Sequence, residues 1–145
     1  MQELPHHYHV SAKAGPEGNI TLEGGDLPAL ETAPPKEFGG PGGHWSPEAL
    51  LVGAVTDCFV LTFRAIARAS KMDWNTLECS TEGKLERIDR VTRFTELTIT
   101  ARLTVPAGTD AEKAKLLLEK SEANCLVSNS LNSTIHLHAS VDQTG

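Results

Sequence analysis

The chain has 145 residues, of which 39% are hydrophobic and 22% charged, and a formal net charge of −6 at pH 7. That length suits one domain spanning 1–145 with a core of its own, and the composition excludes wholesale disorder. The charge argues against nucleic acid as a partner, because phosphate affinity comes from clustered Lys and Arg.

In chain order, Tyr8, Val10, Ala12 and Ala14 alternate with His7, His9, Ser11 and Lys13, which predicts a half-buried strand. Gly15-Pro16-Glu17-Gly18 reads as a turn, and Ile20 and Leu22 as a second strand closing a hairpin. Residues 24–43 hold six glycines and four prolines. A loop of that length, running on to about Trp45, is expected to be functional or disordered rather than a regular element. Ser46 then fits an N-cap, Pro47 the first helical position and Glu48 the positive helix end. The segment from Pro47 to Ser70 is helical by spacing and apolar on nearly all sides as far as Phe63, so it is expected to be a buried central helix.

Two long strands follow. Leu77, Cys79, Thr81 and Leu85 share one face; after a turn near Asp89-Arg90, Leu97, Ile99, Ala101, Leu103 and Val105 alternate with polar residues. Thr109 or Asp110 caps a second helix from Ala111 to about Asn124, with Cys125 on its stripe if it persists that far. A last strand runs from Thr134 to Val141. The order ββ–α–ββ–α–β predicts an α+β fold, an antiparallel sheet with helices packed on it.

Three cysteines, Cys58, Cys79 and Cys125, form neither a CxxC pair nor a zinc spacing. With no apolar run read as a membrane span and no signal-peptide pattern in residues 1–10, the expectation is a cytoplasmic protein with no membrane partner. Cys58 and Cys125 are each either core residues or a functional pair, which sequence separation alone leaves open; Cys79, on the inward face of a strand, reads as structural. Glu48 lies ten residues before Cys58, roughly 15 Å along a straight helix. They meet only if the helix breaks, with Gly53 the place for it, or through a third side chain or a neighbouring subunit. His136 and His138, and His6, His7 and His9, form small clusters, but no ligand set is completed, so neither metal nor cofactor is expected.

Phe38-Gly39-Gly40-Pro41, Ser46-Pro47-Glu48-Ala49-Leu50-Leu51 and Ala54-Val55-Thr56-Asp57-Cys58-Phe59 together resemble the OsmC/Ohr superfamily. So do Glu82-Gly83-Lys84-Leu85 and the segment from Glu122 to Ser130 around Cys125. The resemblance implies antiparallel sheets wrapped around central helices in an intertwined homodimer, with active sites at the subunit interface. It implies thiol-dependent reduction of organic hydroperoxides in oxidative-stress defence. Cys58 would be the peroxidatic cysteine, Cys125 the resolving one, and Glu48 would help position an arginine beside the thiolate. A dithiol resets such an enzyme, and the family suggests lipoylated proteins in that role.

The chain departs from the family at that arginine: Gly15-Pro16-Glu17-Gly18 and Pro35-Lys36-Glu37-Phe38 occupy the places where it is carried, which leaves Lys36 as the nearest cation. Lysine supplies charge without the planar fork of a guanidinium. Phe38, Trp45, Leu51 and Phe59 are the expected lining for an organic peroxide tail. The alternative reading is a non-catalytic dimeric binding or stress protein on the same fold, lacking the catalytic arginine.

Overall fold

The computed structural model describes residues 1–144. The chain divides into two compact units, Met1–Leu50 and Leu51 onward. The first unit holds a three-stranded antiparallel sheet in the order β1 (Ser11–Lys13), β2 (Ile20–Glu23) and β3 (Leu30–Thr32). The expected hairpin is present, but its first strand is short and exposed. Tyr8 and Val10 are 85% and 66% exposed, so the alternation that suggested a half-buried strand does not correspond to a buried face. The Gly/Pro-rich stretch is more regular than its composition implied. It contributes β3, a 3-10 turn at Lys36–Phe38 and a bridge from Thr32 to Trp45.

Helix α1 (Pro47–Ala69) starts where its capping residues predict: the Ala49 N–H donates to Ser46 Oγ at 3.1 Å. It runs unbroken through Gly53. It is long and apolar enough to cross a bilayer, which corrects the expectation that no run approaches that test. Its role in the fold comes from packing. Val55, Phe59, Phe63 and Ala67, spaced by four, are fully buried against the second unit's sheet and helix α2 (Ala111–Ala123). The rest of the helix is not enclosed within the chain; Leu61 is 52% exposed.

That second sheet has the order β4 (Thr76–Ile88), β5 (Val91–Pro106) and β6 (Thr134–Thr144). β4 and β5 form the expected hairpin, turning at Asp89 and Arg90, both at positive φ (50° and 69°) as a two-residue hairpin turn requires. The register slips between Lys84 and Leu85, where Glu96 and Phe94 are the facing residues and Thr95 is left over. A strict period of two would turn Thr95 inward and Phe94 outward. The bulge reverses this, so Phe94 packs on the core together with Leu97. β6 pairs parallel to β5, a correction to the expected all-antiparallel sheet. The crossover through α2 and a short helix α3 (Leu126–Asn129) returns the chain to the end where β5 began.

Asp110 caps α2 by accepting the N–H groups of Glu112 and Lys113 at 3.1 and 3.2 Å. α2 stops at Ala123, so Cys125 is not on its stripe; it is the N-cap residue of α3. Phe63 anchors the α1 stripe, packing edge-on against Trp74 with ring centroids 5.3 Å apart. Phe63→Ala is expected to cost about 3–5 kcal/mol of stability in urea unfolding; a loss below about 1 kcal/mol would show that this ring is not closely packed.

Candidate functional site

Cys58 lies on the flank of α1 beside the buried stripe. One turn on, the Thr62 hydroxyl donates to the Cys58 carbonyl at 2.7 Å and stands 3.9 Å from Cys58 Sγ. The turn that ends α2 and starts α3 supplies the opposite wall. Its Val127 and Leu126 N–H groups and the Cys125 thiol lie close enough to the Cys58 sulfur to favour its anion. Both cysteines are free thiols; Cys58 is partly exposed and Cys125 fully buried.

This placement separates the two sulfurs chemically. Burial pushes the Cys58 thiol up, but donors from Val127, Cys125, Thr62 and Leu126 favour its anion more strongly, and the balance falls below the ordinary thiol value. Cys125 is moved up, first by burial and then by Cys58 itself, against opposing help from Ser128. Cys58 is therefore the more acidic thiol of the pair and Cys125 the less acidic. Cys79 sits half-buried on the inward face of β4, where burial, with a smaller repulsion from Cys125, raises it to about 11.

Cys58 opens into a mostly apolar hollow of about 470 Å³. Ala54, Asp57, Leu61, Thr62 and Ala65 of α1 line it, with Leu126 and Val127 of α3. Comparable hollows run along α2, but charged residues such as Lys115 and Glu119 line them, without a nucleophile.

The structure brings Cys58 and Cys125 together and distributes the other expected residues differently. Phe59 is fully buried in the core, one step round the helix from Cys58, which corrects its expected place in a pocket wall. Leu51 is half-buried and does not line the hollow. Phe38 and Trp45, in the first unit, are 60% and 51% exposed. Glu48, also in the first unit, has Oε1 buried without a hydrogen-bond partner among the described residues. Lys36 is exposed on its 3-10 turn; among the described residues it forms no ion pair. His136 bonds to Glu96 at 2.8 Å on the outer face of the sheet. The sequence reading missed Leu61, Leu126 and Val127. The available signal was Cys125 standing as a cap before the short helical run Leu126-Val127-Ser128-Asn129.

Alkylation of the reduced protein is expected to follow these environments. Cys58 should reach half-maximal reactivity at a pH below the ordinary thiol value, and Cys79 only near pH 11. Because the Cys125 thiol stabilises the Cys58 anion, Cys125→Ala should move the Cys58 midpoint up; an unmoved midpoint would show that the two do not interact.

The OsmC-like protein family model matches residues 40–140. The chain is 31% identical to YmaD, an uncharacterized protein of Bacillus subtilis, over 97% of this chain and 97% of that one. An OsmC-like protein of unknown function from Vibrio cholerae has the same fold, with a TM-score of 0.85 and 14% identity over 94% of this chain and 100% of that one. So does an organic hydroperoxide resistance protein OsmC from Legionella pneumophila, a predicted redox protein, with a TM-score of 0.73 and 24% identity over 97% and 99%. The family resemblance carried by the motifs around Cys58 and Cys125 is thus matched along most of the chain: this protein belongs to the OsmC-like family.

Proposed function

We propose that this chain is a two-cysteine thiol peroxidase acting on organic hydroperoxides. The observation that carries the reading is the Cys58 sulfur, held at an apolar hollow beside the buried Cys125 thiol. Organic hydroperoxide resistance in the Legionella protein of the same fold supports it.

In the proposed cycle the Cys58 thiolate attacks the distal peroxide oxygen. The O–O bond breaks, the alkoxide leaves with a proton as the alcohol, and Cys58 becomes a sulfenic acid. Cys125 gives up its proton and attacks that sulfur. The S–S bond forms as the S–O bond breaks, and the departing hydroxide leaves as water. An external dithiol, with lipoylated proteins the family's suggestion, restores both thiols by exchange.

The protein acts as a homodimer in this reading, the second copy covering the exposed apolar flank of α1 around Leu61. Its place is a reducing, cytoplasmic compartment, in keeping with free thiols. Glu48 and Lys36 are the proposed carboxylate and cation that tune the thiolate, a role that rests on the family resemblance. Two observations favour a second reading, a non-catalytic binding protein: residues 1–63 contain no arginine, and among the described residues Glu48 Oε1 has no hydrogen-bond partner.

One equivalent of an alkyl hydroperoxide should remove two thiols, mapped to Cys58 and Cys125, and leave Cys79 free. Unchanged thiols would overturn the peroxidase and leave the binding protein. Lys36→Met should slow peroxide reduction while Lys36→Arg retains or improves it; equal rates in all three forms would remove Lys36 from the mechanism.

A further inference from the structure

Cys58 and Thr62 stand one turn apart on a single ridge of α1, and both line the hollow, with Leu126 and Val127 of α3 across from them. The Thr62 hydroxyl has one proton and two lone pairs. Its proton goes to the Cys58 carbonyl at 2.7 Å or turns to the Cys58 sulfur at 3.9 Å. In either position a lone pair is left over, and among the described residues no backbone N–H and no other hydroxyl donates to it. Thr56 shows the contrast. Its hydroxyl stands 2.8 Å from both the Val52 carbonyl and the Thr81 hydroxyl, and it does not line the hollow.

The spacing suits an incoming oxygen. A reacting atom approaches a nucleophile to about 3–3.5 Å. A hydrogen-bonded oxygen lies about 2.8 Å from its partner. Two atoms 3.9 Å apart share positions that meet both distances, and both atoms face the hollow. An oxygen there lies against the sulfur with its own hydrogen against the free lone pair. A hydroperoxide has such an oxygen at its end: the terminal oxygen, which the thiolate attacks, is also the one that carries the hydrogen. Both atoms of this site belong to one turn of one helix. It needs neither an open flank at Leu61 nor a particular charge at Lys36 or Glu48.

We propose that Thr62 is a catalytic residue whose hydroxyl oxygen accepts the O–H of a hydroperoxide and holds its terminal oxygen against the Cys58 sulfur. This role rests on the peroxidase function proposed above. As the S–O bond forms and the O–O bond breaks, the electron pair of the O–O bond leaves with the alkoxide, which takes a proton from water. The hydrogen stays on the transferred oxygen and remains bonded to Thr62, now as part of the sulfenic acid. A dialkyl peroxide lacks that hydrogen and forfeits the contact, so hydroperoxides are the class the site selects.

The test uses Thr62→Val, which removes the hydroxyl and keeps the branched shape, and Thr62→Ser, which keeps the hydroxyl. Each reduced full-length protein is given cumene hydroperoxide and, separately, methyl methanethiosulfonate, which reacts with thiolates and has no hydrogen to donate. Loss of the Cys58 thiol is followed by mass spectrometry. Each rate is divided by the thiolate fraction from that protein's own alkylation profile, since the hydroxyl also favours the anion. Thr62→Val should slow the hydroperoxide reaction about tenfold and leave the thiosulfonate reaction unchanged, and Thr62→Ser should stay within about twofold of the native protein for both. Where the native protein consumes the hydroperoxide, an unchanged rate in Thr62→Val, or an equal loss with both reagents, would overturn the proposal. A second arm needs no turnover. Cumyl alcohol, which has the O–H, should protect Cys58 from the thiosulfonate better than cumyl methyl ether, and Thr62→Val should abolish the difference. Equal protection by the two in the native protein would also overturn the proposal. Cumene hydroperoxide left unconsumed by the native protein, with the alcohol's advantage still dependent on Thr62, would sink the peroxidase reading and leave Thr62 as the O–H acceptor of the hollow.

Discussion

The rotation of α1 about its own axis governs where the Cys58 sulfur stands. Val55, Phe59, Phe63 and Ala67 lock one stripe of the helix onto β5 and α2, and each is fully buried. Packed side chains tolerate little slippage, so this stripe fixes the azimuth of all the others. Cys58 immediately precedes Phe59, which turns it about 100° from the centre of the stripe. That angle carries its sulfur out of the core without leaving it wholly in solvent, at the edge where the α2–α3 turn presents its free N–H groups. The same rotation that makes Phe59 a core residue leaves the Cys58 thiol partly exposed.

The second partner of the site comes from a chain reversal. α2 ends at Ala123, and the chain restarts as α3 with Cys125 at its cap. The first N–H groups of a helix have no partners within it. Here those of Leu126 and Val127 favour the anion of a sulfur from another helix. Burial moves the Cys125 thiol up at the same place, so opposite environments act on two neighbouring thiols. The difference in acidity between them is a matter of solvent access and donor count rather than of residue type.

Much of the fold was legible because it is written in periodicity. The alternation from Leu97 to Val105, the Asp89-Arg90 turn and the Ser46 and Asp110 caps are local signals, and each appears in the structure. The parallel pairing of β6 was not legible, because strand direction depends on a crossover whose path no local pattern encodes. Phe94 was missed because a one-residue bulge breaks the period that would reveal it. β3 was missed because the glycines and prolines around it hid a three-residue pairing that depends on β2. At the site, Cys58 and Cys125 stood out as residues, and the family motifs linked them, but their convergence needed the fold. The pocket wall was misread at Phe59, where apolar character alone could not say which side of the helix faces inward.

The burial of Cys125 also sets a direction on how a bond between the two sulfurs would be undone. A bulky thiol approaching from outside finds only the Cys58 sulfur within reach, since Cys125 has no exposed surface. It must therefore form its mixed linkage with Cys58 and expel Cys125 inward as the leaving group. Cys125 is a poor one, because its burial holds its acidity down. The neighbouring Ser128, itself only 4% exposed, is the group that favours the departing anion. Reduction of such a bond would thus be asymmetric: one sulfur would receive the visitor, and the other would be released into the interior.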